Sequence, residues 1–497
     1  MSTGDRNDAF QVGLVTKLAY SVGALSDSIK TLSFTMFLLF YYTTVLGLPG
    51  SLLALAMALG LVWDAAVDPW IGHLSDRAKL RFGRRHGFML VGALCAGASF
   101  IAVFNPPSRL STGALFAWLM VSSFCLRTSN SLFMVPYYAL GSELTTDYHE
   151  RTSISGYRVG TVLAGTLVAL GAAFLVFLPN DTQTGVDSKF APGGYASMGL
   201  AFGAVMIVAG LVATVGTLHE RPRLPSSSIA ATGGSRLRRS MLSAFRDPSF
   251  RALVSSSALC AMATAINAAL AMHFLTYHAR IDASRSFTLY FAALYVGAIA
   301  GVSIWVRVTR WIEKSHVYAA TTLLTALVIS SGYWLVGEGR LFGTGHSLVL
   351  ILMNGVAGFF GSAIAVLVPS MMADVTAYDE TRSGRRSDGV FFGIYSFAQQ
   401  FSSGLAVLVA GLLVDHFAGL VPAQAAQSAT TVERLAMISN VLPAVILTGA
   451  SALALRYRLT RKELQHVHRR PAAPAGRSRA SAQAPIGIPG GGPGDTP

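Results

Sequence analysis

Long apolar segments recur along the whole chain, and they constrain its fold more than any other feature. Each is about 20 residues or longer, enough for a helix to cross the ~30 Å hydrocarbon core of a bilayer. Because backbone polar groups in lipid need partners within the segment, each segment is expected to be helical. The 497 residues are 52% hydrophobic and 12% charged, which is not the composition of a soluble domain. We count twelve segments, so the sequence predicts an all-α membrane protein with 12 transmembrane helices.

Positive charge is concentrated in alternate loops and in the C-terminal tail, and this determines the predicted orientation. Clusters of arginine and lysine follow the second, sixth, eighth and tenth segments, whereas the opposite loops hold few. By the positive-inside rule both termini are expected in the cytoplasm, and the plasma (cell inner) membrane is the expected location. The net charge of +14 is therefore explained by topology, and nucleic acid is not an expected partner.

A polar stretch divides the apolar segments into two sets of six. It is rich in Pro, Ser, Gly and Arg, as flexible linkers are. Two lobes of six helices joined in this way are the layout of a secondary transporter. The tail is basic and then rich in Pro, Gly and Ala, so it is expected to be disordered. The predicted regions are a cytoplasmic N-terminus (1–15), an N-terminal lobe (16–218), a cytoplasmic basic linker (219–248), a C-terminal lobe (249–457) and the tail (458–497).

Two carboxylates lie four residues apart inside the second apolar segment. At that spacing Asp64 and Asp68 share one face of a helix. An ionised carboxylate at membrane depth costs several kcal/mol unless a cation, a proton or a basic partner neutralises it. The pair therefore indicates a coupling site for Na⁺ or H⁺, and the alternative is a buried ion pair that only fixes helix packing. We favour the coupling site because intramembrane acids are usually functional.

Three further charged residues lie well inside apolar segments. Asp27 and Lys30 are three apart in the first segment, so they could form a structural pair, or Asp27 could face a central cavity. Arg127 lies midway along the fourth segment and needs a counter-charge, for which the candidates are Asp27, Asp64 and Asp68. We favour a cavity role for Arg127 over a static link between helices.

Several sequence motifs occur in the order found in one transporter family. The aspartate segment reads Trp63-Asp64-Ala65-Ala66-Val67-Asp68-Pro69 and leads into a basic loop that ends at Arg85. Together the motifs resemble the glycoside–pentoside–hexuronide:cation symporters, the melibiose-carrier branch of the major facilitator superfamily, over roughly residues 16 to 460. The other stretches that carry the resemblance are Tyr41-Tyr42-Thr43-Thr44-Val45-Leu46-Gly47-Leu48, Pro136-Tyr137-Tyr138-Ala139-Leu140-Gly141-Ser142-Glu143, Glu150-Arg151-Thr152, Tyr378-Asp379-Glu380 and Gly384-Arg385-Arg386-Ser387-Asp388-Gly389.

The resemblance implies a major facilitator fold and places the coupling cation on Asp64 and Asp68. Ser131 stands where the melibiose carrier contributes a hydroxyl, whereas Val67 stands where that carrier has an asparagine. Two carboxylates and one hydroxyl are few ligands for Na⁺, while a proton needs only one buried carboxylate. The choice between H⁺ and Na⁺ stays open, and no other metal and no cofactor is expected.

The resemblance also implies a substrate cavity, although fewer positions agree. Gln400 and Ser396 occupy positions at which the melibiose carrier has a lysine and a threonine. Met134 and Tyr138 occupy positions at which it has an aspartate and a tryptophan. With so few sugar-binding groups kept, a less hydroxylated or more apolar substrate is expected rather than a galactoside. The predicted cavity residues are Asp27, Ser28, Arg127, Asn130, Met134, Tyr138, Ser396, Gln399 and Gln400.

Opposite charges cluster where the two lobes are expected to meet at the cytoplasmic face. They could close an inner gate by ion pairing, or the arginines could fix topology, and the two roles are compatible. Surface ion pairs are individually weak, so such a gate would bias a conformational balance. The predicted gate residues are Glu143, Asp147, Arg151, Arg158, Asp374, Arg385, Arg386 and Asp388.

The functional prediction is a secondary active transporter that couples H⁺ or Na⁺ to symport of a sugar, glycoside or similar small organic solute by alternating access. One alternative is a proton-coupled exporter of an amphipathic metabolite, lysolipid or drug, and another is a non-transporting membrane sensor. An enzyme is not expected, because the sequence shows no nucleophile–base constellation or metal cluster. The expected partners are the substrate and the lipid bilayer, and the expected state is a monomer.

Overall fold

The structure is almost entirely helical. The computed structural model describes residues 12–77, 85–145, 148–181, 186–223, 245–281, 284–383, 388–424 and 426–459, so most of the predicted linker and tail lie outside the described residues. In the described ranges twelve long helices follow one another: α1 (Leu14–Val22, Ala24–Met36, Leu38–Phe40 and Tyr41–Val45), α2 (Gly50–Arg77), α3 (His86–Phe104), α4 (Thr112–Glu143), α5 (Tyr148–Ala172 and Ala173–Phe177), α6 (Pro192–Gly216), α7 (Pro248–His273 and Phe274–His278), α8 (Ser284–Val308), α9 (Lys314–Leu335), α10 (Ser347–Ser383), α11 (Asp388–Leu413 and Val414–Ala418) and α12 (Ala429–Ala436, Met437–Val441 and Leu442–Ala454).

The connections between helices are short and hold little regular structure. One antiparallel pair, β1 (Asn180–Asp181) and β2 (Val186–Asp187), lies between α5 and α6, with Asn180 opposite Asp187. We call the end of the bundle where α1 begins and α12 finishes the inner end, and the opposite end the outer end. Successive helices run between these two ends.

Most of these helices are suited to a membrane by length and composition. Ten are long and apolar enough to cross, and α1 makes eleven if its two parts, which meet at a 48° bend, count as one span. The twelfth helix, α4, has 32 residues, but Arg127 and several hydroxyl and amide side chains lower its hydropathy. The prediction of an all-α membrane protein is therefore confirmed, and the count of twelve crossings stays a prediction.

The two sets of six helices repeat one arrangement. Within the first set α1 packs on α5, α2 on α4, and α3 on α6; within the second, α7 packs on α11, α8 on α10, and α9 on α12. A turn of π-helix also ends α1 and α7, and again α5 and α11, which are counterparts six helices apart. We call α1–α6 the N-lobe and α7–α12 the C-lobe, and this repetition supports the predicted two-lobe organisation.

Glycines allow the closest helix contacts within a lobe. A β-carbon added to Gly297 on α8 would collide with the backbone carbonyl of Gly355 on α10, and one added to Gly358 would collide with that of Leu294. Small residues at such crossings let two backbones approach closely inside a membrane. The α8–α10 contact therefore depends on glycine at these positions.

Replacing Gly297 with alanine is expected to lower the stability of the protein by about 1–3 kcal/mol, because an added methyl group in a packed contact forces the backbones apart. The thermal unfolding midpoint of the purified protein in detergent measures this. Gly449→Ala is the matched control, since a β-carbon there meets nothing within 4 Å. An unchanged midpoint in Gly297→Ala would contradict the packing described here.

The lobes meet at the outer end and separate toward the inner end. One buried cluster at the outer end contains residues of both lobes, including Phe40 and Phe174 from the N-lobe and Leu270 and Phe287 from the C-lobe. At the inner end each lobe has its own cluster. A cavity of about 530 Å³ lies along the inner half of α5 in the N-lobe, lined by Ser153, Gly156, Tyr157, Gly160, Thr161 and Ala164. The conformation is therefore closed at the outer end and open at the inner end.

Candidate ion and substrate site

The packing of α2 on α4 sets the positions of the predicted ion-binding residues. A β-carbon on Gly60 would collide with the guanidinium of Arg127, and one on Gly72 would lie 3.6 Å from the side chain of Val135. The two helices therefore run side by side in the same direction. Asp68 lies between Gly60 and Gly72, so it comes level with the part of α4 that carries Ser131.

Arg127 pairs with Asp64. Its Nη1 donates a hydrogen bond to Asp64 Oδ2, and the two side chains are 18% and 27% exposed. Asp64 is thus the one of the three candidate counter-charges that contacts Arg127 in the structure. Removing one member of a buried pair is costly because it leaves a charge without a partner. The pair thus holds Asp64 in place on α2.

Asp68 is arranged differently from Asp64. Its side chain is partly buried, and its Oδ1 atom is buried with no hydrogen-bond partner in the described residues. Most buried polar atoms in proteins have a partner, so one without any calls for an explanation such as a bound ion or proton. The two acids therefore differ: Asp64 is held by an arginine, and Asp68 has one oxygen free.

Asp27 lies at the centre of a second polar group on α1 and α4. Lys30 Nζ is 2.9 Å from Asp27 Oδ1, and Asn130 Nδ2 donates to the same oxygen over 3.3 Å. Asn130 lies three residues after Arg127 on the same helix, so the two polar groups are neighbours. The sequence left open a structural pair or a cavity role for Asp27. The Asp27–Lys30 pair forms here, and the side chain of Asp27 is still about one-third exposed.

The remaining N-lobe residues of the predicted cavity differ in exposure. Ser28 donates to the carbonyl of Ala24 in its own helix, and Met134 is buried in the N-lobe core beside Tyr137. Tyr138 is half exposed, and the Arg158 guanidinium lies over its ring at 5.1 Å. Arg158, predicted as a gate residue, is therefore positioned beside the predicted cavity residue Tyr138.

The C-lobe wall of the cleft is formed by one face of α11. Gly404 packs against Leu61 of α2, where a β-carbon would meet the leucine at 2.8 Å. The same face continues inward through Gln400, Phe401 and Phe397, which are exposed where the lobes separate. Gln399 lies to one side and donates to the hydroxyl of Tyr395 over 3.0 Å, and Ser396 is exposed.

Two aromatic residues on this face were missed from the sequence. Phe397 and Phe401 are 61% and 47% exposed, and their rings stack with centroids 5.9 Å apart. Their spacing of four residues, in register with Gly404, is the signal that could have identified them. In its described residues this wall carries aromatic and amide groups and no charge, unlike the N-lobe wall.

Two of the described gate residues, Glu143 and Asp374, form ion pairs within their own lobes. Arg85 Nη2 lies 2.7 Å from Glu143 Oε1 in the N-lobe, and Lys314 Nζ lies 2.6 Å from Asp374 Oδ2 in the C-lobe. Arg85 and Lys314 were not among the predicted gate residues. Side chains that lie outside the described part of the structure are those of Asp147, Arg151, Arg385, Arg386 and Asp388.

Comparison with known proteins identifies the family. A family model described as MFS/sugar transport protein matches residues 19–461. The chain is 25% identical to a putative glycoside/cation symporter, YagG, of Escherichia coli, over 92% of this chain and 95% of that protein. It is 24% identical to sodium-dependent lysophosphatidylcholine symporter 1 of Gallus gallus, over 83% of this chain and 80% of that protein.

A similar fold occurs in a solved transporter. A bacterial homolog of the human lysosomal transporter Spinster, in an inward-facing and unoccupied conformation, superposes with a TM-score of 0.61 at 15% identity, covering 90% of this chain and 98% of that one. The family model and the named relatives confirm the resemblance inferred from the motifs. The chain belongs to the MFS/sugar transport protein family, and it is a multi-pass membrane symporter.

Proposed function

We propose that this protein is a proton-coupled symporter in which Asp68 carries the proton. The observation that supports this is that the buried Asp68 Oδ1 accepts no hydrogen bond in the described residues. The other acid on this helix face, Asp64, is already paired with Arg127. An unpartnered buried carboxylate is unfavourable as an anion, and protonation removes that cost. Sodium would need several oxygen ligands, and Arg127 engages one of the two carboxylates that could supply them.

The net charge of the ion site supports one cation per cycle. The five charged residues midway along α1, α2 and α4, which we call the midplane cluster, are Asp27, Lys30, Asp64, Asp68 and Arg127. Three acids and two bases give a net charge of −1. One bound proton brings this to zero, and a neutral substrate keeps it at zero. Since net charge at the membrane midplane is costly, the lobes are expected to rearrange in this neutral state.

The walls of the cleft support a neutral glycoside with an apolar aglycone as the substrate. Tyr138 offers an aromatic face, and Arg158 beside it offers N–H donors for sugar hydroxyls. On the opposite wall Phe397 and Phe401 offer apolar surface, and Gln400 an amide. A lysolipid is the alternative that the aromatic pair would also suit, and relatives named for both kinds of cargo exist.

In an alternating-access cycle, the observed conformation corresponds to the inward-open half. The inner end, which we expect to face the cytoplasm, is open, and the outer end is closed. Glu143 and Asp374 bond within their own lobes here. We therefore propose that the predicted gate charges form pairs between the lobes only when the inner end closes.

Accumulation of a neutral glycoside by the purified protein in vesicles tests the function. One proton per substrate and an interior-negative potential of 100 mV supply about 2.3 kcal/mol, which corresponds to about 50-fold accumulation. We expect this value with alkyl or aryl glycosides in sodium-free medium, together with acidification of the vesicle interior reported by a trapped pH dye.

Ion replacement and substrate competition separate the alternatives. Accumulation that requires a sodium gradient, with no change in internal pH, would overturn the choice of proton. Uptake of lysolipid with no response to any neutral glycoside would overturn the proposed substrate class. Vesicles without protein, and vesicles with the ion gradients collapsed by ionophores, provide the baselines.

A further inference from the structure

The N-terminus of α2, the helix that carries Asp64 and Asp68, is capped by a side chain of the opposite lobe. Asp415, at the outer end of α11, accepts hydrogen bonds from the backbone N–H groups of Gly50 and Ser51, one on each carboxylate oxygen and each at 2.7 Å. The first N–H groups of a helix lack partners within the helix, and negative charge is favourable there. Such caps usually come from the residue just before the helix.

The backbones of the two lobes touch beside this cap. A β-carbon on Gly411 would lie 2.6 Å from the carbonyl oxygen of Gly50 and 2.8 Å from the β-carbon of Ala54. One on Gly50 would lie 2.8 Å from the carbonyl oxygen of Gly411 and 2.9 Å from Asp415 Oδ1. Glycine at both positions is therefore what allows the carboxylate to reach the α2 terminus.

No competing interaction engages the Asp415 carboxylate among the described residues. The Nδ1 atom of its neighbour His416 donates to the carbonyl of Leu412 in the same helix over 3.2 Å. Arg434 donates to the carbonyl of Phe417 over 3.1 Å and is not paired with Asp415. The charge of Asp415 thus acts on the end of α2.

We propose that Asp415 is a positioning residue of the transport cycle, which caps α2 while the outer end is closed and releases it when that end opens. Separation of the lobes at the outer end must break both hydrogen bonds, and water then hydrates the carboxylate and the N–H groups separately. The cap therefore stabilises the outer-closed state and couples the outer gate to the ion-binding helix. This inference rests on alternating access but on neither the ion nor the substrate.

Distances between spin labels at the outer end test the proposal. Ser108→Cys in the N-lobe and Leu341→Cys in the C-lobe place labels at exposed positions, in a background with the native cysteines replaced by alanine. In Asp415→Asn we expect the ratio of long to short distances to rise about tenfold, because charged groups form the stronger hydrogen bonds. The measurement needs no substrate and no gradient, so failure of the proposed proton coupling would not affect it.

Further variants distinguish the cap from general loss of structure. Asp415→Glu keeps the charge and is expected to retain most of the short distances. Gly411→Ala, which separates the same backbones without changing charge, should shift the ratio in the same direction as Asp415→Asn. The matched controls are Glu338→Gln, an exposed acid within the C-lobe, and Gly113→Ala, where a β-carbon meets nothing within 4 Å. Unchanged distances in both Asp415→Asn and Gly411→Ala would overturn the proposal.

Discussion

Replacing Asp68 with asparagine is expected to reduce substrate accumulation from about 50-fold to about 1-fold at a potential of 100 mV. Asparagine is close in size and permanently neutral, so it mimics the protonated acid and cannot release a proton. Downhill exchange of substrate across the membrane should continue, because the lobes can still rearrange around a neutral site. Uptake under an imposed gradient and exchange of labelled for unlabelled substrate measure the two activities separately.

The control for this substitution is Glu338→Gln, which removes an exposed carboxylate outside the midplane cluster. It should leave both activities unchanged. Full accumulation in Asp68→Asn would show that Asp68 does not carry the coupling ion. Loss of exchange together with accumulation would show that this residue is needed for the rearrangement itself.

Replacing Arg127 with glutamine is expected to lower stability by about 3 kcal/mol, because it leaves Asp64 as an unpaired charge inside the membrane. It also changes the net charge of the midplane cluster from −1 to −2. The thermal unfolding midpoint of the purified protein measures the loss of stability. Yield from the membrane provides an independent check that the variant folds.

The double variant Asp64→Asn/Arg127→Gln tests whether these residues act as a unit. It removes both charges and returns the cluster to −1, so we expect it to recover most of the stability lost in Arg127→Gln. Because Asp68 is untouched, proton-driven accumulation should persist. A double variant as unstable as the sum of the two single variants would contradict the ion pair as a coupled element.

The features that the sequence predicted correctly are local or repeated. Apolar length predicted the helices, because a helix satisfies its own backbone wherever it lies in lipid. Intramembrane charge singled out Asp64 and Arg127, and the need for a counter-charge reduced the partners of Arg127 to three. The family followed from several motifs in order. The roles of the site residues stay predictions, although the structure brings Asp64, Asp68 and Arg127 together on α2 and α4.

The features that the sequence did not predict depend on contacts between distant residues. Asp415 and Gly50 are 365 positions apart, and no local pattern relates them. The partners of Glu143 and Asp374, which are Arg85 and Lys314, depend on how helix ends are arranged within each lobe. The exposed faces of Phe397 and Phe401 depend on the separation of the lobes, so they follow from the conformation and not from the composition of α11.

The two lobes repeat one arrangement of helices but differ in the charge of the middle turns of those helices. The counterparts of α1, α2 and α4 in the C-lobe are α7, α8 and α10, and their middle turns carry no Asp, Glu, Lys or Arg. Among the described residues of these six helices, the midplane charge thus lies in the N-lobe and not in its C-lobe counterparts. Under the proposed coupling at Asp68, energy from the ion gradient enters through the N-lobe, which leaves the C-lobe wall free to diverge toward new cargo without disturbing the coupling residues.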